Sequence, residues 1–332
     1  MRNFPKVDLH RHLEGSMRVE SFLDIARKEN VYLPTYNLEE FRHLVQVNND
    51  PPDFLNFLNK FKTFRNFYPN REAIERIAYE AVEDAAQDNV KYLELRYSPT
   101  HFACERRFRE EDVIRWISGA IDRASDDYDI EVMPIVTISR DYGIELAEHT
   151  VNLAVQYAGR GLYGLDLAGD EVHNPARPFL RLFQIAKDAE MGLTLHAGEA
   201  GGSENVIEAV KVFGCDRIGH GIKAATSEEA MAVLKEYDIM LEICPTSNIH
   251  TGVVESFASH PLKMLCEKGI QVSLNSDDPM ISNISLTDEY VNAVTKMGFH
   301  EEDLKRFNRM ALKHSFHPDK ERLQRMLAHC WS

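Results

Sequence analysis

Short apolar runs separated by polar loops and amphipathic segments recur along the whole chain. The runs are rich in Val, Ile and Leu and end in polar or small residues, a pattern that indicates buried β-strands. The predicted strands are Val7–His12, Val90–Tyr97, Glu131–Ile138, Gly164–Ala168, Leu193–Ala197, Arg217–His220, Ile239–Cys244 and Gln271–Leu274.

The segments between these strands carry apolar residues at helical spacing. Val113, Ile117 and Ala124, for example, would lie on one face of a helix between the second and third strands. Thr226 and Glu229 form the pattern of a capping box ahead of another apolar run, which predicts that a helix begins there. Helices are therefore expected to connect the strands.

This alternation predicts an α/β protein with a parallel sheet. Eight such strands favour a closed (β/α)8 TIM barrel, with a helical insertion after the first strand (residues 19–89) and extra C-terminal helices (residues 286–328). An open doubly wound sheet is the alternative, although no Gly-x-Gly-x-x-Gly motif follows an early strand. Because no low-complexity linker interrupts the pattern, residues 1–332 are expected to form a single domain.

The composition limits which binding partners and which cellular compartment are expected for this protein. A formal net charge of −15 disfavours nucleic acid and anionic membranes as partners, since both attract Lys and Arg. The cysteines are dispersed, which argues against a disulfide framework and for a reducing compartment; they are Cys104, Cys215, Cys244, Cys266 and Cys330. With no signal-peptide pattern and no apolar run of the ~18 residues that a membrane span needs, a cytoplasmic location is expected.

Residues that could take part in catalysis or binding recur where the predicted strands end. In order along the chain they are His10, His12, Asp166, Gly169 with Asp170, His196, Glu199, His220, Asp277 and Asp278. A lone histidine at a strand end is usually structural, and paired aspartates before a proline usually form a turn. Five strands with such residues are harder to explain by packing, because buried polar groups are costly unless they are paired or coordinated. In a TIM barrel these strand ends surround the active site.

The residue types at these positions indicate metal-assisted hydrolysis. His10 and His12 would project from one face of the first strand and could hold one metal ion together. Three histidines with one carboxylate suit zinc and leave a position for water, whose pKa would fall from about 15.7 toward about 7. Glu199, three residues after His196, could serve as the general acid or base, and His220 could orient the water.

These residues lie in segments that resemble the adenosine deaminase family of zinc purine deaminases. The matching segments keep the family's order over residues 8–279; they are Asp8–Gly15, Leu93–Pro99, Asp166–Glu171, His196–Glu199, Arg217–Gly221, Cys244–Asn248 and Ser273–Pro279. The Pro-Cys-x-x-Cys signature of the cytidine-type deaminases is absent from the sequence.

The resemblance implies a role for each matching residue around the metal. One zinc ion per chain would be bound by four ligands, which are His10, His12, His196 and Asp277. Asp166 would orient a ligand histidine from behind. A zinc-activated water would attack C6 of a 6-aminopurine, and ammonia would then leave.

The resemblance also implies how the purine is held. Glu199 would supply a proton to ring N1, and His220 would hold the attacking water. Asp278 would hydrogen-bond N7, and the backbone of Gly169 would face N3, where a side chain would intrude on the ring. The remaining substrate contacts would come from Glu14, which would reach the sugar, and from His12.

The implied activity is the hydrolytic deamination of adenosine or 2′-deoxyadenosine in purine salvage. Relatives often carry aspartate where this chain has Glu14, so the alternative is another 6-aminopurine: adenine, an N6-modified adenine or adenosine, or aminodeoxyfutalosine. The segment Leu95–Pro99 is similar to that of the nucleoside deaminases. A nucleotide phosphate is not expected, because no basic cluster lies near these motifs.

Two other functional classes remain open. A binuclear metallohydrolase would need a bridging carboxylate or a modified lysine after the fourth strand, and residues 166–170 contain no lysine. A non-catalytic relative should have lost a ligand or the acid, and none is missing. The remaining histidines considered are expected to be surface or structural residues; they are His43, His101, His149, His250, His260, His314 and His317.

Overall fold

Eight parallel strands follow one another in chain order around a single sheet in the computed structural model, which describes residues 1–48, 50–65, 67–103 and 107–331. The strands are β1 (Lys6–His12), β2 (Val90–Tyr97), β3 (Glu131–Ser139), β4 (Gly164–Ala168), β5 (Gly192–Ala197), β6 (Arg217–His220), β7 (Met240–Ile243) and β8 (Gln271–Leu274). The predicted barrel fold is confirmed. Each predicted strand end agrees with the observed one or differs from it by one residue.

Helices connect the strands and extend the chain beyond β8, as predicted. They are α1 (Val19–Glu29), α2 (Leu38–Val45), α3 (Phe54–Lys62), α4 (Arg71–Gln87), α5 (Pro99–Phe102), α6 (Glu110–Asp127), α7 (Ile144–Ala154), α8 (Leu180–Asp188), α9 (Ser203–Lys211), α10 (Glu228–Glu236), α11 (Pro245–His250), α12 (Leu262–Glu267), α13 (Pro279–Ser282), α14 (Leu286–Lys296), α15 (Glu301–His314) and α16 (Lys320–Leu327). The four helices α1–α4 form the insertion after β1.

The predicted capping box at the start of α10 is wrong by one residue. The N-cap is Ser227, whose hydroxyl accepts a hydrogen bond from the backbone N–H of Ala230. The hydroxyl of Thr226 instead donates to the backbone oxygen of Lys223 in the preceding turn. Both residue types cap helices well, so the sequence pattern alone did not distinguish the two neighbouring hydroxyls.

The barrel is closed through the residues that follow β8. The backbone N–H of His12 donates to the oxygen of Asp277 over 2.9 Å, and the N–H of Asp277 donates to the oxygen of His10 over 2.8 Å. These two bonds join the first strand to the last. They also fix Asp277 beside both histidines of β1.

The helical insertion has its own aromatic core at the mouth of the barrel. Phe22 packs against Phe41, Phe64 and Phe67, with the rings of Phe22 and Phe67 only 3.7 Å apart between centroids. Phe57, on α3, lines the cavity inside the barrel mouth. The insertion therefore forms one wall of that cavity.

The opposite end of the barrel is filled by Phe316. A Cβ on Gly192 would lie 2.3 Å from the Phe316 ring, so only glycine fits at this start of β5. The guanidinium of Arg217 stacks over the same ring, 3.6 Å from its centroid. The cavity lined by the candidate site residues lies at the other end, at the carboxyl ends of the strands.

The described cysteines are free thiols, namely Cys215, Cys244, Cys266 and Cys330; Cys104 lies outside the described residues. Across the described ranges, none of the helices combines the length and apolar character that crossing a membrane requires.

Candidate active site

A cavity of about 340 Å³ lies at the carboxyl ends of the strands. This volume is in the range typical of small-molecule sites. Nine of the residues singled out from the sequence line it: His12, Glu14, Gly169, Asp170, His196, Glu199, His220, Asp277 and Asp278. The two other predicted residues, His10 and Asp166, are completely buried behind this surface.

The four predicted metal ligands meet at the bottom of the cavity. The Nε2 atoms of His12 and His196 are 3.2 Å apart. Oδ1 of Asp277 lies 3.4 Å from His10 Nε2 and 3.5 Å from His12 Nε2. His220 is close to the same centre, because ligand atoms of His10, His196, His220 and Asp277 all lie within 4.8 Å of one another. The structure thus brings together the whole predicted set, with one further histidine beside it.

Buried carboxylates orient two of these histidines from behind. His196 donates through Nδ1 to Asp166 over 3.0 Å, and His10 donates through Nδ1 to Glu242 over 2.8 Å. Each ring therefore turns its Nε2 lone pair toward the centre, as metal-binding histidines do. His10 Nε2 is buried and has no hydrogen-bond partner. Such an atom normally has a partner, so this donor set fits a metal ion.

Sequence reasoning identified Asp166 but missed Glu242. Glu242 lies in the middle of β7, and its side chain points into the barrel, where Arg96 and Arg217 donate to its two oxygens over 2.7 and 2.6 Å. Burial alone would raise the pKa of Glu242, but the two guanidinium groups hold it well below its usual range. The alternation of β7 is the only sequence signal that could have found it.

Two of the residues whose side chains converge here have a strained backbone conformation. His220 and Asp277 have positive φ angles of 58° and 59°, a left-handed conformation that residues other than glycine rarely adopt. Such strain concentrates at functional sites, where the surrounding structure holds it in place. Gly169 also has a positive φ of 98°, and a Cβ there would lie 2.6 Å from Asp141 Oδ2. Asp141 and the backbone conformation thus require glycine at this position in the structure itself.

Glu199 is buried beside the metal ligands, and its Oε2 lies 3.6 Å from His220 Nε2. Burial raises the pKa of Glu199 well above its ordinary value, and the charges of Asp277 and Glu171 add to this shift. This shift favours the protonated form of the carboxyl group. A protonated carboxylic acid can donate its proton to a bound ligand.

Glu171 holds the loop that carries Glu199, a contact that sequence reasoning also missed. Its Oε1 accepts the backbone N–H groups of Glu199, Ala200 and Gly201, all within 2.8 Å. Its Oε2 accepts the N–H of Gly198 and the side-chain amide of Asn205. One carboxylate thus organises the turn after β5.

Two further buried carboxyl groups belong to residues that line the cavity, and each has one oxygen without a hydrogen-bond partner. Glu14 accepts the backbone N–H of Ser98 through Oε1, while its Oε2 has no partner. Asp278 Oδ1 is likewise buried without a partner. Burial raises the pKa of Glu14 to about 7, and burial together with the charge of Asp277 raises the pKa of Asp278 well above its usual range. Both groups could therefore donate or accept a hydrogen bond from a ligand.

The mouth of the cavity contains basic residues that the motifs did not reveal. Lys62 and Arg65 come from the helical insertion, and the Arg65 guanidinium lies 4.1 Å from the centroid of the Tyr142 ring. His101 also lines the mouth, but both of its ring nitrogens are engaged, with the hydroxyls of Tyr68 and Tyr142. No basic cluster lies near the motifs in the sequence, but the fold places Lys62 and Arg65 beside the cavity.

Comparison with known proteins agrees with this geometry. A family model described as adenosine deaminase matches residues 5–328. An adenosine deaminase from Clostridium botulinum (strain Hall) is 37% identical over 95% of this chain and 94% of its own length. The crystal structure of adenine deaminase from Arthrobacter aurescens has a TM-score of 0.90 at 26% identity and covers 98% of both chains. An N6-mAMP deaminase from Arabidopsis has a TM-score of 0.85 at 28% identity, over 99% of this chain and 98% of its own. The chain therefore belongs to the adenosine deaminase family of hydrolases.

Proposed function

We propose that this chain removes the 6-amino group of adenosine or 2′-deoxyadenosine by hydrolysis, using one bound zinc ion, and releases ammonia. The observation that carries this proposal is the convergence of His10, His12, His196 and Asp277 in one cavity, with the buried carboxyl group of Glu199 beside them. Cytoplasmic purine salvage is the setting that fits such an activity.

The donor set suits zinc rather than a hard cation, because three of its four ligands are imidazoles. Burial lowers the pKa of His12 well below its usual range, which keeps this ring neutral and able to coordinate. When bound, zinc would lower the pKa of a coordinated water and so supply the nucleophile at neutral pH. Asp166 and Glu242 would hold two of the rings in place.

The residues around the metal site would bind the purine, donate a proton to it and orient the nucleophile. Glu199 would donate its proton to N1 of the purine, which makes C6 a better electrophile. Asp278 would hydrogen-bond N7 and so fix the ring in the cavity. His220, facing both Glu199 and Asp277, would orient the attacking water. Gly169 would present its backbone to N3.

Glu14 is the residue that would recognise the sugar or other substituent attached to the purine. Glu14 lines the cavity, and its Oε2 has no hydrogen-bond partner. With a pKa of about 7, its carboxyl group could hydrogen-bond a sugar hydroxyl in either protonation state. A nucleotide such as an N6-modified AMP is the second candidate substrate. Lys62 and Arg65 at the mouth favour it, because both can bind a phosphate ester.

A substrate panel separates these candidates. Adenosine, 2′-deoxyadenosine, adenine, N6-methyladenosine, AMP and N6-methyl-AMP would each be followed by the ultraviolet change and by ammonia release. The proposal expects the highest kcat/KM for adenosine or deoxyadenosine. If adenine or a nucleotide is turned over and adenosine is not, the named substrate is wrong, while the chemistry stands. If no compound loses ammonia, the proposed function is wrong.

Metal analysis of the purified protein tests the mononuclear assignment. We expect about one zinc per chain, since the described ligand groups share His196 and form a single cluster. A value near two metal ions per chain would favour the binuclear alternative. A matched His317→Ala variant, altered far from this cluster, should retain the wild-type zinc content.

A further inference from the structure

Asn248 is completely buried at the centre of a hydrogen-bond chain that the proposed reaction does not use. It belongs to α11, directly after β7, and to the matching segment Cys244–Asn248, which had no assigned role. Its amide nitrogen lies 3.2 Å from Glu199 Oε1 and 3.2 Å from His220 Nδ1. Its amide oxygen lies 3.2 Å from His260 Nε2.

The backbone at the outer end of this series of hydrogen bonds determines which group donates and which accepts in each bond. The N–H of Leu262 points to Nδ1 of His260 over 3.1 Å, so this nitrogen must be the acceptor. Burial lowers the pKa of His260 to about 4, which leaves the ring neutral with its one proton on Nε2. Nε2 therefore donates to the oxygen of Asn248. The amide of Asn248 consequently has one orientation, with its NH2 group toward the cavity.

Two donor hydrogens of Asn248 then face Glu199 and His220. Since a donor occupies Nδ1 of His220, the proton of this neutral ring must be on Nε2. In the same way, a donor at Oε1 of Glu199 leaves Oε2 as the oxygen that carries the acid proton. Oε2 of Glu199 and Nε2 of His220 lie 3.6 Å apart, and Nε2 is also 3.8 Å from Asp277 Oδ2.

We propose that Asn248, held in one orientation by His260, is a positioning residue that places the protons of Glu199 and His220 on the atoms facing the reaction centre. With its proton on Nε2, His220 would hold the attacking hydroxide as a hydrogen-bond donor and would not act as a base. This inference rests on the proposed function for its catalytic meaning. The proton positions themselves do not depend on which purine is the substrate.

The proton position on His220 can be measured in the unaltered enzyme. Protein labelled with ¹⁵N-histidine and loaded with zinc would be studied by long-range ¹H–¹⁵N NMR, which distinguishes a protonated ring nitrogen from an unprotonated one. The His220 signals would be assigned by comparison with His220→Gln. We expect the proton on Nε2; a proton on Nδ1 would overturn the proposal, and this result requires no activity and no variant of Asn248.

Variants of Asn248 and His260 test how the placement of these protons affects kcat. Asn248→Asp has the same size but offers only acceptors, so kcat should fall by about 100-fold, the scale of a lost acid–base contribution, with KM little changed. Zinc content should stay at one per chain. His260→Ala should lower kcat by about 10-fold, because the amide can then rotate. His260→Gln, whose NH2 can replace the Nε2 donor, should restore most of this loss, which a purely structural role does not explain.

His317 provides a matched control at the other end of the barrel. It has the same arrangement as His260, since the N–H of Asp319 donates to its Nδ1 and its Nε2 donates to Glu131. His317→Ala should leave kcat unchanged. If Asn248→Asp keeps kcat within about threefold of the wild type, the proposal is wrong. If the wild type deaminates no purine, the proposed function fails, and the NMR measurement still decides whether Asn248 sets the protons.

Discussion

Removal of the charge from Glu171 is expected to displace Glu199 without touching the metal centre. Glu171→Gln keeps one accepting oxygen for the N–H groups of Glu199, Ala200 and Gly201. It replaces the other oxygen by an NH2 group, which cannot accept from Gly198. The buried N–H of Gly198 and the side-chain amide of Asn205 would then both lose their acceptor, and the three remaining hydrogen bonds would be weaker.

The size of the effect follows from these bonds. An unpaired buried N–H costs about 2 kcal/mol, and a neutral acceptor is weaker than a charged one by about 1 kcal/mol for each bond. Because three of the bonds share one oxygen, we expect a total loss of about 3 kcal/mol in the free energy of unfolding rather than the full sum. A shift of the acid by about 1 Å would lower kcat by about 100-fold.

The assay combines urea unfolding of the zinc-saturated protein with steady-state kinetics on adenosine. Asn205→Ala is the matched control, because it removes a single neutral donor to Glu171 and leaves the carboxylate in place. It should cost about 1 kcal/mol and change kcat little. If Glu171→Gln unfolds at the wild-type urea concentration and keeps the wild-type kcat, our account of this loop is refuted.

Four further variants test the site and the pH dependence. Glu199→Gln should keep its zinc and lose most turnover, since an amide has no acidic proton; wild-type kcat would remove Glu199 from its role. His196→Ala should lose the metal, as measured by metal analysis after dialysis. Asp166→Asn should weaken zinc binding by about 10–100-fold in a competition with a chelator, with unchanged affinity counting against the orienting role. Burial raises the pKa of Glu289 to about 8, so the folded state holds a proton there that the unfolded state loses near pH 4.5. Wild-type stability should therefore fall as pH rises from about 4.5 to 8, by at most about 1.4 kcal/mol per pH unit from this group. Glu289→Gln should reduce that slope in urea titrations across the same range, and an unchanged slope would contradict the assignment.

Much of the fold could be predicted from the sequence because its signals are local. Eight short apolar runs separated by helical spacing identify the strands, and their number identifies the barrel. The error at Thr226 and Ser227 has a local cause too, since two adjacent hydroxyls offer the same cap. The contribution of the insertion to the cavity wall could be expected in outline only, because the packing of Phe22 and its neighbours depends on contacts between separate helices.

The candidate site could be predicted where a motif lies at a strand end. The supporting residues could not, because they lie inside strands or on distant loops. Glu242 looks like any residue of a buried strand until the barrel places it behind His10. Arg65 is remote from every motif and reaches the site only through the folded insertion. Nothing in the sequence distinguishes His260 from a structural histidine, and its contact with Asn248 is what connects it to Glu199.

The sequence by itself determined the strands, their order and the side chains at their carboxyl ends, because periodicity and neighbouring residues encode these features. It therefore determined the chemistry that such side chains support. Only the tertiary structure decided which side chains meet, because closure of the barrel brings Asp277 beside His10 and His12, and burial then sets the protonation of Glu199. Distances across a barrel and desolvation inside it, which raises the pKa of Glu199, arise from the whole fold, and no local segment of the chain contains them.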